Sequence, residues 1–161
     1  KKSKLRLLLL GDIMTSYTQI MMKTMQDLPK NIREEFDILV KPHPANPIKK
    51  SDYPLINFSV ITKSLHEILD QCDLVYGANP TSANLDAYIA GLRIIIHLDG
   101  ESLNLSPLRG VKEVSFVSDY KELTIALKNS IVVENESAND FFWLDNRLPK
   151  WRNIIEKYSG K

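Results

Sequence analysis

Asp73-Leu74-Val75-Tyr76, then Gly77-Ala78-Asn79-Pro80-Thr81-Ser82, then a helical stretch to Ala90-Gly91, then Arg93-Ile94-Ile95-Ile96-His97-Leu98: this passage decides the fold. Two short apolar runs flank a segment of helical period, the pattern of parallel strands buried on both faces and joined by a crossover helix. Gly91 stands where the residue after a helix C-terminus should be. The same alternation extends in both directions. Upstream, Leu5–Leu10 reads as the first strand, ended by Gly11-Asp12, and Ser16–Leu28 reads as a Met-rich helix stopped at Pro29. Asp37–Lys41 is a second strand closed by Pro42 and Pro44, because proline supplies no ladder donor. A weaker third strand is expected at Leu55–Phe58. Ser64-Leu65-His66-Glu67 forms a capping box that should open a helix to about Gln71. Downstream, Val114–Val117 is a further strand, and Asp119-Tyr120-Lys121-Glu122 repeats the capping logic for a helix to about Asn129. The fold class is α/β, a doubly wound parallel sheet of about six strands.

The 161 residues suffice for one domain with a real core and are too few for two full lobes of this kind. Composition is that of a folded protein, 43% apolar and 25% charged. A formal charge of +1 lacks the concentrated basic face that nucleic-acid binding requires, so no nucleic-acid partner is expected. Lys1, Lys2 and Lys4 read as a solvated terminus. One cysteine, Cys72, allows neither an internal disulfide nor the usual zinc site, and it reads as buried filler in a reducing compartment. No metal is expected. No apolar run approaches the roughly 20 residues needed to cross a bilayer, so no transmembrane segment is expected. The first residue is Lys1 rather than methionine, as expected of a piece of a longer protein. Residues 1–134 form the expected Rossmann-like domain, and 135–161 a linker and terminal helix. Asn135–Asn139 is polar, and Phe141, Phe142, Trp143, Leu144 and Trp151 put large apolar groups on the tail. These pack back on the domain or need another to cover them.

In an open parallel sheet, ligands bind beyond the carboxyl ends of the strands. Gly11-Asp12, Lys41-Pro42-His43-Pro44, Gly77–Ser82 and His97–Gly100 each follow a different expected strand. Prolines on both sides of His43 restrict the backbone and present the imidazole at low entropic cost. Such a histidine can donate to a phosphate oxygen, and a nearby anion would favour its protonated form. A proline-bounded turn with an incidental histidine is the plain alternative. With Asn79 as N-cap and Pro80 at the first helical position, Thr81 and Ser82 would offer hydroxyls and amides at a helix start, as a phosphate cradle does. Ordinary N-capping explains the same residues. No Gly-x-Gly-x-x-Gly or Walker pattern is present. His97 leads into Asp99-Gly100-Glu101, a loop able to reach a sugar hydroxyl. Asp12 could line the same crevice, and Asp86 could take ribose hydroxyls or face solvent. His66 reads as a surface residue.

Lys41-Pro42-His43-Pro44, followed by Gly77-x-x-x-Thr81-Ser82 and a helix ending Ala90-Gly91, resembles the donor-binding half of a GT-B glycosyltransferase. The likeness is to bacterial transferases of surface-polysaccharide synthesis, of the sialyltransferase-like and polymer glycerophosphotransferase-like groups. It implies a Rossmann-like domain forming a single lobe of a GT-B architecture. It also implies that His43 contacts the nucleotide phosphate and stabilises the leaving group, while Thr81 and Ser82 hold phosphate or a donor carboxylate. Lys41, Pro44, Asn79, His97, Asp12 and Asp86 complete the expected substrate-binding set. The expected partners are a nucleotide sugar, CMP- or CDP-linked with UDP as a third choice, a carbohydrate acceptor, and an N-terminal lobe this chain lacks. No further cofactor is expected. One departure bears on catalysis: the paired-acid-Gly element that supplies the general base in sialyltransferase-like enzymes is missing, since Asp99-Gly100 has no preceding acid. That base belongs to the other lobe, so the isolated chain should bind nucleotide without turnover. The tail from Phe141 to Tyr158 resembles the segment that crosses back toward that lobe. A cytoplasmic setting follows, with peripheral association at the inner membrane left open. Two other functions stay in view: a lobe of a sugar-nucleotide epimerase, and a non-catalytic Rossmann-like interaction domain whose aromatic tail docks a partner.

Overall fold

A computed structural model of the chain describes residues 4–129 and 148–159. Six strands form one parallel sheet: β1 (Leu5–Leu10), β2 (Phe36–Lys41), β3 (Phe58–Val60), β4 (Leu74–Ala78), β5 (Arg93–His97) and β6 (Ser115–Val117). Their spatial order is β3-β2-β1-β4-β5-β6, so the winding reverses between β1 and β4. β1 pairs in parallel with both β2 and β4. This is the Rossmann-like doubly wound α/β fold that the alternation of short apolar runs and helical segments predicts.

Strand parity divides the core in two. Leu7, Leu9, Tyr76 and Ile95 face α1 (Thr15–Asp27), α2 (Lys30–Arg33) and α4 (Tyr120–Asn129), packing on Met21, Met25, Leu123 and Leu127. Leu8, Val75, Ile94 and Ile96 face the other layer, with Ile68 and Leu69 from 3₁₀ turns, Ala87 and Tyr88 of α3 (Ala83–Ile89), and Leu108. Burying such a side chain is worth roughly 1.5–3 kcal/mol, which is why β4 and the greater part of β1 and β5 carry no exposed face. The end of α1 is set by Leu28, extended before Pro29. Arg33 then donates to the Gln26 carbonyl at 2.5 Å and to that of Leu28, covering acceptors the helix leaves open.

Several boundaries differ from expectation. The third strand lies at Phe58–Val60 rather than Leu55–Phe58, because only those three residues find partners on β2, Ile38 to Val40. The Ser64–Glu67 capping box forms, with Ser64 N–H donating to Glu67 at 2.9 Å, but two 3₁₀ turns (Leu65–Glu67 and Leu69–Gln71) follow instead of a helix. Gly91 takes φ +83° after α3, the left-handed residue that the sequence places there. Asp119 caps α4 through the amides of Lys121 and Glu122, both at 2.8 Å. Cys72 is buried and donates to the Ile68 carbonyl. A last helix, α5 (Pro149–Tyr158), has no buried residue. Lys1, Lys2, the Asn135–Asn139 linker and Phe141–Leu144 lie outside the described residues.

Candidate functional site

Where the winding reverses, the loops after β1, β2 and β4 splay apart and leave a crevice of about 310 Å³. Its walls are Leu10–Ile13, Lys41–Pro44, Pro80–Ala83 and Leu65. Doubly wound sheets bind ligands at such a switch point. Asp12, Lys41, His43, Pro44, Thr81 and Ser82, six of the residues that the sequence singles out, share this one crevice.

The β2 wall approaches β1 closely because Gly11 has no side chain. Its amide continues the ladder to the Lys41 carbonyl at 2.9 Å, and a Cβ there would stand 3.0 Å from His43 N and 3.1 Å from Pro42 Cα. His43 opens a turn closed by Asn46 N–H on the His43 carbonyl at 2.8 Å, with Pro44 at the position where its fixed φ suits the turn. The His43 Nδ1 accepts the Ala45 amide at 3.2 Å. In the neutral ring one nitrogen accepts and the other carries the proton, so this bond assigns the proton to Nε2 and leaves an N–H for a ligand. The flanking Lys41 donates its ammonium to the Lys63 carbonyl at 2.6 Å, placing a cation along the same wall.

The β4 wall starts differently from the sequence expectation. α3 begins at Ala83 with Ser82, not Asn79, at its N-cap, and the Ser82 side chain makes no capping bond. Asn79 is buried: its Nδ2 donates to the Leu103 carbonyl at 2.9 Å and its Oδ1 accepts Ser106 N–H at 3.2 Å. It fastens the β4 loop to the loop after β5, and those distant partners outcompete a local cap. Thr81 donates its hydroxyl to Asp12 Oδ2 and its amide to the Ala78 carbonyl. Its proton is spent inside the protein; the exposed Ser82 is the hydroxyl on this wall with no such commitment to α3. Asp12 is buried at the floor, its other oxygen accepting Met14 N–H at 2.8 Å and its own amide donating to Thr18 at 2.9 Å.

Three residues from the expected set, Asn79, His97 and Asp86, lie outside the crevice. His97 is buried on the α1 side of the sheet, its Nδ1 2.7 Å from the Tyr76 hydroxyl and its Nε2 without a partner among the described residues. Burial pushes its pKa below the ordinary imidazole value, against an opposing pull from Asp99. Asp99 itself is held lower than usual, chiefly by the amide and hydroxyl of Ser102, then by Glu101 N–H. Asp86 is exposed and lines a neighbouring hollow with Leu65, His66, Leu69 and Ile89. Asn46 is a residue that the sequence reading passes over, although it stands three positions after His43, in a turn of the kind that asparagine favours. Among the described residues, no group of three His, Cys, Asp or Glu side chains gathers as a metal site would, and no helix is long and apolar enough to cross a membrane.

The fold and crevice define a Rossmann-like domain with a switch-point site. Among solved structures, the chain is similar to KpsC, a beta Kdo 2,7 transferase from Thermosulfurimonas dismutans, at 14% identity and a TM-score of 0.54. That match covers 98% of this chain and 56% of the other, so this chain spans little more than half of that protein's length. It is also similar to the catalytic domain of cholesterol-alpha-glucosyltransferase from Helicobacter pylori, at 17% identity over 97% of both chains with a TM-score of 0.47. No protein-family profile and no curated protein matches the sequence.

Proposed function

We propose that this chain is the nucleotide-sugar-binding domain of a glycosyltransferase in bacterial cell-surface carbohydrate synthesis, working in the cytoplasm. One observation carries the reading: His43 and the Thr81-Ser82 pair, on loops after different strands, line a single crevice at the sheet's reversal. The likeness in fold to a Kdo transferase supports it. The donor phosphate receives the His43 Nε2–H and the Ser82 hydroxyl, with the Lys41 ammonium nearby and Pro44 shaping the rim. When an acceptor hydroxyl displaces the nucleotide, negative charge accumulates on the departing phosphate. Donors already aimed there bind the transition state more tightly than the intact donor, which is how they accelerate the step. Asp12 is a poor general base because both its oxygens are engaged, so the base is assigned to a lobe outside this chain. CMP- or CDP-linked donors are the first choice.

The test is a titration of the full chain with CMP, CDP and UDP, followed by amide NMR. Shifts confined to Lys41–Pro44 and Pro80–Ala83, lost in His43→Ala, are expected. Saturating nucleotide that leaves both segments unmoved overturns the reading, and a preference for UDP redirects it toward a sugar-nucleotide epimerase.

A second reading has its own observation. Trp151, Ile154, Ile155 and Tyr158 recur at helical spacing along one stripe of α5, each more than half exposed. An interaction domain would use that stripe to dock a partner. It predicts concentration-dependent association lost on Trp151→Ala, with no response to nucleotide.

A further inference from the structure

The loop bearing His43 is fastened by one side chain, that of Asn46. Its Nδ2 donates to the main-chain carbonyls of Asp12, at 3.1 Å, and Ile13 in the loop after β1. Its Oδ1 accepts the Thr15 hydroxyl at 2.9 Å, at the first residue of α1. Its own amide closes the turn onto the His43 carbonyl. A primary amide carries two donor hydrogens, and here each has an acceptor of the same kind, a backbone carbonyl. Half-buried and outside the crevice lining, Asn46 has no donor left for a ligand.

We propose that Asn46 is a positioning residue: it locks the 43–46 turn against the β1 loop, keeps Ala45 N–H on His43 Nδ1, and so fixes Nε2–H as the donor offered to an acceptor oxygen on the ligand. Without the clamp, the turn is free to move off β1 and the Ala45 bond loosens. The imidazole then samples both tautomers, and in one of them Nε2 meets the ligand oxygen with a lone pair. Only the ligand half of this inference rests on the donor-binding reading. The requirement for an amide is chemical, since a carboxylate of the same shape would set an oxygen, in the place of Nδ2, against two carbonyl oxygens.

The experiment uses the full chain with Asn46→Asp and Asn46→Ala, alongside His43→Ala. Long-range ¹⁵N–¹H spectra report which His43 nitrogen carries the proton, whether or not any nucleotide binds. The wild type is expected to show the Nε2–H tautomer alone and both Asn46 variants a mixture, while amides of β4 and β5 keep their positions. CMP affinity should fall about tenfold, the equivalent of one well-made hydrogen bond. Unchanged His43 ring signals in the variants overturn the proposal. So does CMP affinity equal to wild type in both variants when His43→Ala weakens it. Failure of wild type to bind any nucleotide overturns the donor-binding reading and leaves the ring measurement to decide the clamp. Should Asn46→Asp fail to fold, Thr15→Val removes a single bond of the clamp and gives the same readout at smaller amplitude.

Discussion

Thr81, in the loop after β4, donates its hydroxyl to the buried carboxylate of Asp12, in the loop after β1. The bond closes the sheet's reversal point from below. It also makes Asp12 a structural residue, because with Met14 N–H on its other oxygen it organises both walls of the crevice. Asp12→Ala leaves a half-buried hydroxyl and an amide without their charged partner and should lower the unfolding free energy by about 1–3 kcal/mol. Asp12→Asn retains an acceptor for Met14 and should cost less. Urea unfolding of Asp12→Ala, Thr81→Val and the double variant measures their coupling, and strictly additive losses would refute a shared bond.

Gly11→Ala tests how tightly the two walls are set. A Cβ at 3.0–3.1 Å from the backbone of His43 and Pro42 cannot be relieved by a rotamer change, so the 41–46 segment must shift. The stability loss should be about 1 kcal/mol, at the low end of overpacking, because the loop lies at the sheet's end. On the donor-binding reading proposed above, nucleotide affinity should fall with it. Amide shifts spread evenly over the sheet, with Lys41–Asn46 unmoved, would contradict this.

Gly77 is pressed from the side. A Cβ there would lie 1.9 Å from Oδ1 of Asn84, whose Nδ2 is held at 2.8 Å by the Ala78 carbonyl and whose side chain is buried. Gly77→Ala therefore forces α3 away from β4, at roughly 3 kcal/mol, the upper range for inserting a methyl into a packed site. Combining it with Asn84→Ala removes the obstacle. The double variant should be more stable than the sum of the two losses predicts, and simple additivity in urea unfolding would show that the clash lies elsewhere.

The strands of this sheet are legible because burial on both faces leaves unbroken apolar runs, as at Leu7–Leu10 and Ile94–Ile96. What fails is whatever depends on distant partners. Leu55 looks like strand and is exposed, since β2 offers pairing only from Ile38 to Val40. The Ser64–Glu67 box satisfies its own two residues and says nothing of how far a helix continues. Asn79 has an N-cap's sequence context, yet Leu103 and Ser106 claim its side chain from a loop with no recognisable local pattern. The convergence of His43 with Thr81 and Ser82 is legible from the strand-end rule alone. The position of His97 is also open to parity: it alternates with Ile96 and shares its face with Ile95, which packs toward α1.

That buried histidine gives the fold a pH dependence of definite sign. In the native state His97 has its pKa lowered by burial, while in the unfolded chain it returns to about 6.5. Between those values the unfolded state binds more protons than the native one, so stability rises with pH. The His97 contribution is complete above about 6.5, declines as pH falls through that value, and levels off below the native pKa, at no more than about 1.4 kcal/mol per pH unit. The geometry agrees: Nδ1 is committed to Tyr76, and among the described residues Nε2 has no acceptor for the proton an imidazolium would carry. Urea unfolding at pH 7.5, 6.5 and 5.5 should show this slope in the wild type and lose most of it in His97→Gln, which keeps an acceptor for the Tyr76 hydroxyl. A His97 ring resonance that titrates at or above 6.5 by NMR would reverse the predicted sign.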